Sequence, residues 1–168
     1  MALYLIQNGA MPAAAAPVKV TTGTGIKTML QVKIGTGVLA KVVEWGISFD
    51  GSAAATPIEV ELVETGTVFA TVTATVVADI TRLDPLAQDP TTAAIVVGST
   101  TATGYSASGE GTVTATRELD FQLIAPTNQY IKQFPLGREP LVNVSSSLRI
   151  RVTAAAAVNA YCYVILEI

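Results

Sequence analysis

Carboxylates are the first side chains of this sequence to consider for chemistry, because its 168 residues include no histidine and one cysteine, Cys162. Glu59 and Glu61 would lie on one face of a strand about 7 Å apart, given a rise of about 3.3 Å per residue. Glycosidases use two carboxylates at comparable separations. Acidic residues at alternating positions are, however, also the ordinary solvated face of a strand. Without histidine the chain cannot build a Ser-His-Asp or Cys-His nucleophile, and we expect it not to be an enzyme.

Three aspartates in turn-like sequence are the remaining candidates for binding a metal. Asp84 and Asp89 each precede a proline, and Asp50 precedes a glycine. Loop carboxylates can ligate calcium, but the spacing here is not that of an EF-hand, and such aspartates are typical turn formers. One cysteine without histidine cannot form an ordinary structural zinc site, and the two GTG segments match neither a P-loop nor a dinucleotide fingerprint. We therefore expect no metal and no cofactor.

The composition favours a chain that packs against other chains. Charged residues make up 14% of the sequence, against about 25% in an average soluble domain; the alternative is a stable β protein with a threonine-rich face. The ten Lys and Arg residues are scattered and the net charge is −3, so we expect no nucleic-acid binding. The sequence contains no stretch of 18 or more apolar residues, so we expect no membrane-spanning helix. The N-terminus lacks the basic region of a signal peptide, which predicts folding in a cytoplasm.

The segments that carry these side chains alternate apolar and polar residues, which predicts β-strands. In Val38–Val63, Leu39, Val43, Trp45, Ile47 and Phe49 share one parity, with Lys41 as the exception. We predict a hairpin there, with Trp45 in the core. Longer alternating runs predict strands over 68–80 and 112–123, the second with Leu119, Phe121 and Leu123 inward and with Arg117 needing a polar partner. About eight strands separated by turn signals predict an antiparallel β-sandwich, with a jelly roll as the leading topology.

The two ends of the chain are the candidate contact regions. We predict residues 1–27 to be an extended arm, since Pro12 and Pro17 enclose an alanine run, and residues 28–168 to be one sandwich domain; the alternative is a floppy terminus. In the last strand both parities are apolar. A strand that is apolar on both faces is covered on both. One cover is the core, which takes Cys162, and the other is predicted to be a neighbouring subunit against Tyr161, Tyr163 and Ile165.

Two segments carry a resemblance to a known family. EWGISFDGSAAATPIEVELVETG (44–66) and LRIRVTAAAAVNAYCYVILEI (148–168) are similar to segments of small β-sandwich proteins of tailed bacteriophages, the capsid decoration or cement proteins. The likeness lies in a strand ending in W-G-[IV]-S-F-D-G, a glutamate-rich strand and a C-terminal strand pair joined by an alanine-rich turn. It covers about two-thirds of the chain.

The resemblance implies a homotrimer on the outer surface of an icosahedral virion, made in the host cytoplasm, whose arms clamp neighbouring major capsid subunits. On that basis the predicted capsid contacts are Leu3, Tyr4, Leu5, Ile6, Pro12, Pro17 and Val18. The alternative is a receptor- or glycan-binding head domain of a phage fibre or tail component. Such a domain needs exposed aromatic residues, for which Tyr105 and Tyr130, the latter beside Asn128, are the candidates.

Overall fold

The computed structural model describes residues 1–52 and 54–168, and it consists of two antiparallel β-sheets that enclose one core. Thirteen strands and one short 3₁₀ turn, Val77–Asp79, follow one another along these residues. The strands are β1 (Leu3–Gln7), β2 (Val20–Thr21), β3 (Ile26–Lys33), β4 (Ala40–Phe49), β5 (Ile58–Glu64), β6 (Thr71–Ala74), β7 (Thr81–Arg82), β8 (Gly104–Gly109), β9 (Arg117–Ile124), β10 (Gln129–Gln133), β11 (Leu141–Val142), β12 (Ser147–Thr153) and β13 (Asn159–Glu167). The predicted antiparallel β-sandwich is confirmed.

Successive long strands of the chain mostly lie in different sheets. Sheet A has the order β10-β4-β13-β1-β7, with β2 paired to β13 and β11 to β4, and sheet B has the order β6-β8-β3-β12-β5-β9. The chain therefore crosses from sheet A to sheet B between β1 and β3, and again between β4 and β5. The hairpin predicted over Val38–Val63 is wrong, because its two strands belong to opposite sheets. Ala53, in their connection, lies outside the described residues.

Apolar side chains from alternate positions of both sheets form the core. Trp45 is fully buried, and its ring lies 5.3 Å from that of Tyr130, centroid to centroid. Cys162 is also fully buried, as a free thiol. Both residues therefore occupy the core positions that their strand patterns predict.

A β-bulge in β4 changes which residues of that strand face the core. Glu44 pairs with Ile165 and Val42 with Leu166, so Val43 is an extra residue on its strand. On the N-terminal side of the bulge the even-numbered residues face the core, whereas on the C-terminal side the odd-numbered residues do. Val42 is therefore fully buried, and Leu39 is half exposed. The inward placement predicted for Leu39 and Val43 is therefore wrong.

A second bulge reverses the predicted faces of β9. Leu62 pairs with Asp120 and Val63 with Glu118, which leaves Leu119 as the extra residue. Beyond it Asp120 is buried, whereas Phe121 and Leu123 are 45% and 66% exposed on the outer face of sheet B. The prediction that Phe121 and Leu123 point inward is wrong. The predicted polar partner of Arg117 is found, since its Nε donates to Glu64 Oε2 at 2.9 Å.

Both of the long predicted strands are shorter than their sequence patterns suggest. β6 ends at Ala74, and the Asp79 carboxylate closes the following turn by accepting the Val76 N–H at 3.1 Å. β9 begins at Arg117, and residues 111–116 before it form no strand. After β6, a side chain offers the backbone a local hydrogen bond in place of the strand ladder, which alternation alone does not reveal.

The N-terminal segment is part of the sandwich. β1 lies in sheet A between β13 and β7, and its Tyr4 and Ile6 side chains are fully buried. β2 pairs with β13. The accessible surface of 7846 Å² matches the roughly 7,850 Å² expected of a compact monomer of this mass. The prediction that residues 1–27 form an extended arm is wrong for β1 and β2, and residues 10–19 form an exposed loop between them.

Candidate interaction surfaces

The outer face of sheet A carries the three residues predicted to contact a neighbouring subunit. Tyr161, Tyr163 and Ile165 alternate along β13 and are half-buried, whereas the intervening residues are buried in the core. Leu5 of β1 lies directly across from Ile165. The structure therefore brings part of the predicted arm and the predicted subunit contact onto one surface, which we call the tyrosine face.

Gly46 explains how Tyr163 packs on this face. A Cβ atom at Gly46 would lie 2.8 Å from Tyr163 Cε1 and 3.2 Å from Ile131 Cγ1, so the tyrosine ring occupies the space that a side chain on the neighbouring strand would fill. The Tyr163 hydroxyl donates to Glu44 Oε1 at 2.6 Å. Burial, and after it this hydrogen bond, raise the pKa of the Tyr163 hydroxyl. Tyr163 is therefore held as a neutral ring close to the sheet.

The charged side chains around β13 have partners within the fold, and this makes the tyrosine face suitable for contact with protein. Glu44 accepts the Tyr163 hydroxyl, and Lys41 pairs with Glu167 at 3.0 Å. The cleft beside Tyr161 and Tyr163 measures about 120 Å³, below the roughly 300–1,000 Å³ of small-molecule sites. Interfaces are enriched in tyrosine and depleted of charged residues at their centres.

The residues predicted as capsid contacts separate into three environments. Tyr4 and Ile6 are fully buried, so the prediction that they contact a capsid protein is wrong. Leu3 and Leu5 are accessible in part on sheet A. Pro12, Pro17 and Val18 lie in the exposed loop of residues 10–19. This loop is anchored at both ends: the Met11 N–H donates to Asp79 Oδ1 at 2.9 Å, and Lys19 forms an ion pair with Asp50 at 2.5 Å.

Of the carboxylates that drew attention in the sequence, all except Glu59 have structural partners among the described residues. Glu61 pairs with Arg151 at 2.8 Å, and the Lys19 ion pair holds the pKa of Asp50 below its ordinary value. Asp84 accepts the Leu86 N–H, and Asp89 accepts from Thr91, which makes both of them turn formers as predicted. Within residues 1–52 and 54–168, no three of the Cys, Asp and Glu side chains cluster closely enough to hold a metal ion.

A buried carboxylate that sequence reasoning did not single out joins the end of β5 to the start of β9 and to the segment between β11 and β12. Glu64 is 4% exposed and accepts hydrogen bonds from Ser146 Oγ at 2.7 Å, Asn143 Nδ2 at 2.8 Å and Arg117. Burial opposes its ionisation, but these donors outweigh burial and hold the pKa of Glu64 below its ordinary value. Arg117 on the apolar parity of its strand was the available signal, although no pattern identified its partner.

The two aromatic residues considered for glycan binding do not form one site. Tyr105 lies on β8, towards the β6 edge of sheet B. Tyr130 lies on β10, the edge strand of sheet A, and contacts β9 at the other edge of sheet B. The Tyr130 hydroxyl donates to Asp120 Oδ2 at 3.0 Å, and burial followed by that hydrogen bond raises the pKa of Tyr130 to about 12. Both rings are also packed against the core.

Comparison with protein-family models, curated proteins and solved structures finds no match to this chain. In the described part of the chain, no helix has the length and hydropathy needed to cross a membrane.

Proposed function

We propose that this chain is a structural virion protein that binds the outside of an icosahedral phage capsid as a homotrimer and bridges major capsid subunits without catalysing a reaction. The resemblance of residues 44–66 and 148–168 to decoration proteins supports the capsid as the partner. The observation that carries the proposal is the tyrosine face, a half-buried surface of tyrosine, isoleucine and leucine whose neighbouring charged side chains have partners within the fold.

The strand order supports a jelly-roll topology for the sandwich. Apart from β6 and β8 at one edge of sheet B and the two-residue strands, eight strands pair side by side, as β1-β13-β4-β10 in sheet A and β3-β12-β5-β9 in sheet B. Numbered by chain order among themselves, these are 1-8-3-6 and 2-7-4-5, an arrangement of two interleaved Greek keys. The fold leaves the outer face of each sheet available for contacts with other chains.

The mechanism is differential binding. A protein that binds the mature shell more tightly than free or precursor subunits stabilises the shell by mass action. Each contact can be weak, because a trimer engages several capsid subunits at once and gains avidity. The tyrosine face serves the contact between copies of this chain, and the exposed loop of residues 10–19 serves the contact with the shell.

The loop is the part of the N-terminal segment that is free to make a shell contact. Val18 is 70% exposed, whereas the strands on both sides of the loop contribute buried residues to the core. The anchors at Met11 and Lys19 fix where the loop leaves and re-enters the sandwich. A change confined to residues 12–18 should therefore leave the sandwich folded.

Two variants test the proposal separately. Light scattering should give three times 17.4 kDa for the wild type, and Ile165→Lys, which puts a charge on the tyrosine face, should give a monomer. Ile26→Lys is the matched control, since Ile26 is 53% exposed on another strand and its substitution should leave the trimer intact.

Replacing residues 12–18 by Gly and Ser of equal length should preserve the trimer and abolish co-sedimentation with shells of the virus that encodes the chain. A monomeric wild type would refute the trimer, and unchanged shell occupancy would refute the loop contact.

A further inference from the structure

An apolar pair stands exposed on the outer edge of sheet B. Phe121 and Leu123 are 45% and 66% exposed, although their strand alternates as a core-facing strand would. The bulge at Leu119 turns the pair outward, and Asp120 takes the inward position, where Tyr130 and Lys132 bind it. Burying the exposed part of these two large apolar side chains against a partner is favourable, which indicates a contact outside this chain.

The backbone beside this pair is also without a strand partner. β9 is the last strand of sheet B and pairs with β5 on its other side. Among the described residues, no backbone hydrogen bond links β9 to any segment other than β5. Edge strands are commonly protected by β-bulges, inward-pointing charges, lysine or proline. In β9 the bulge at Leu119 and the inward Asp120 precede residues 121–124, and these four residues include no lysine and no proline. The edge at residues 121–124 is therefore open to an added strand.

Acidic side chains surround the apolar pair. Glu59 lies across from Leu123 on β5, and Glu118 precedes the pair on β9. Within the described chain neither glutamate forms an ion pair, in contrast to Glu61, which is bound by Arg151. Strands lie about 4.8 Å apart, so long cationic side chains on an added strand could pass over the apolar pair towards these carboxylates.

We propose that β9 is a docking edge for an extended segment of another protein in which lysine or arginine alternates with apolar residues. The segment adds a strand to sheet B by backbone hydrogen bonds. Its lysine or arginine side chains lie on the outer face, where their aliphatic stems cover Phe121 and Leu123 and their charged ends pair with Glu118 and Glu59, while its apolar residues face the other side of the sheet. The docking edge lies on the sheet opposite the tyrosine face, and it does not depend on the capsid proposal.

The test uses labelled synthetic peptides and fluorescence anisotropy. The probe is a seven-residue peptide in which lysine and valine alternate, and its controls replace lysine by glutamate or the central valine by proline, which cannot donate to a ladder. The lysine peptide should bind at least tenfold more tightly than either control. The double variant Phe121→Ser/Leu123→Ser should weaken that binding at least tenfold, whereas Leu86→Ser should not, since Leu86 is 94% exposed elsewhere.

A second variant separates charge from apolar contact. Glu59→Gln/Glu118→Gln keeps the apolar pair and should weaken binding several-fold while reducing its salt dependence. Amide NMR shifts on peptide addition should map to residues 117–124. Equal binding of the lysine and glutamate peptides, or shifts confined to another strand, would overturn the proposal. A wild-type self-association that is lost in Phe121→Ser/Leu123→Ser would assign the edge to a second copy of this chain and would overturn it too.

Discussion

Ile6→Ala distinguishes an interior first strand from a detachable arm. Ile6 is fully buried and lies across from Val164 in the ladder between β1 and β13. Leu3, on the same strand, is 36% exposed and provides the matched control Leu3→Ala. If residues 1–27 were an arm that leaves the sandwich, neither substitution would affect the stability of the fold.

The structure gives the size of the expected difference. Truncating a fully buried isoleucine to alanine costs about 2–5 kcal/mol, the lost burial plus the cavity that remains. Truncating a partly exposed leucine should cost about 1 kcal/mol or less. For a chain of this length each kcal/mol lowers Tm by about 2–4 °C, so Ile6→Ala should melt roughly 4–20 °C below the wild type.

Urea unfolding followed by Trp45 fluorescence measures the free energy of unfolding, because Trp45 is fully buried in the same core. The slope against urea should stay constant among the three proteins if they share the same folded and unfolded states. Equal stability of Ile6→Ala and Leu3→Ala would refute the placement of β1 in sheet A. Deleting residues 1–8 should then leave a folded domain, whereas the present structure predicts loss of folding.

Two further predictions concern buried ionisable groups. The pKa of Glu64 is depressed in the fold, so its ionised form stabilises the protein above the unfolded pKa of about 4.3, and this contribution is lost as the pH falls through the folded pKa. In urea unfolding, the difference in free energy of unfolding between the wild type and Glu64→Gln should therefore shrink from pH 7 to pH 3. A difference that stays constant over this range would contradict the prediction. Burial raises the pKa of the Cys162 thiol, so a thiol reagent at pH 8 should label Cys162 only at the rate of unfolding, and labelling of the native protein within seconds would place Cys162 outside the core.

Strand patterns predicted the sandwich and its core because alternation reports burial directly. Trp45 and Cys162 lie where their parity places them. The two bulges could not be located from alternation, since each inserts one residue and reverses the parity beyond it. Lys41 and Arg117, charged residues on apolar parities, were the sequence signals of those bulges.

The sequence predicts a short strand over Leu3–Gln7, but its place inside sheet A was missed for a different reason. Leu3–Ile6 is apolar on both parities, which is the pattern of an interior strand covered on both faces, but the prolines and glycines that follow it suggested an arm. Glu64 could not be identified because its donors, Ser146 and Asn143, lie about 80 residues away in sequence. No local pattern encodes a contact over that distance.

An image of the virion at a resolution that shows strands tests the central proposal most directly. We expect the two-sheet sandwich as trimers on the outside of the shell, with Tyr161, Tyr163 and Ile165 between neighbouring copies and residues 10–19 against major capsid subunits. Density for the sandwich at a tail tip or fibre, or on the shell with the tyrosine face open to solvent, would contradict the proposal.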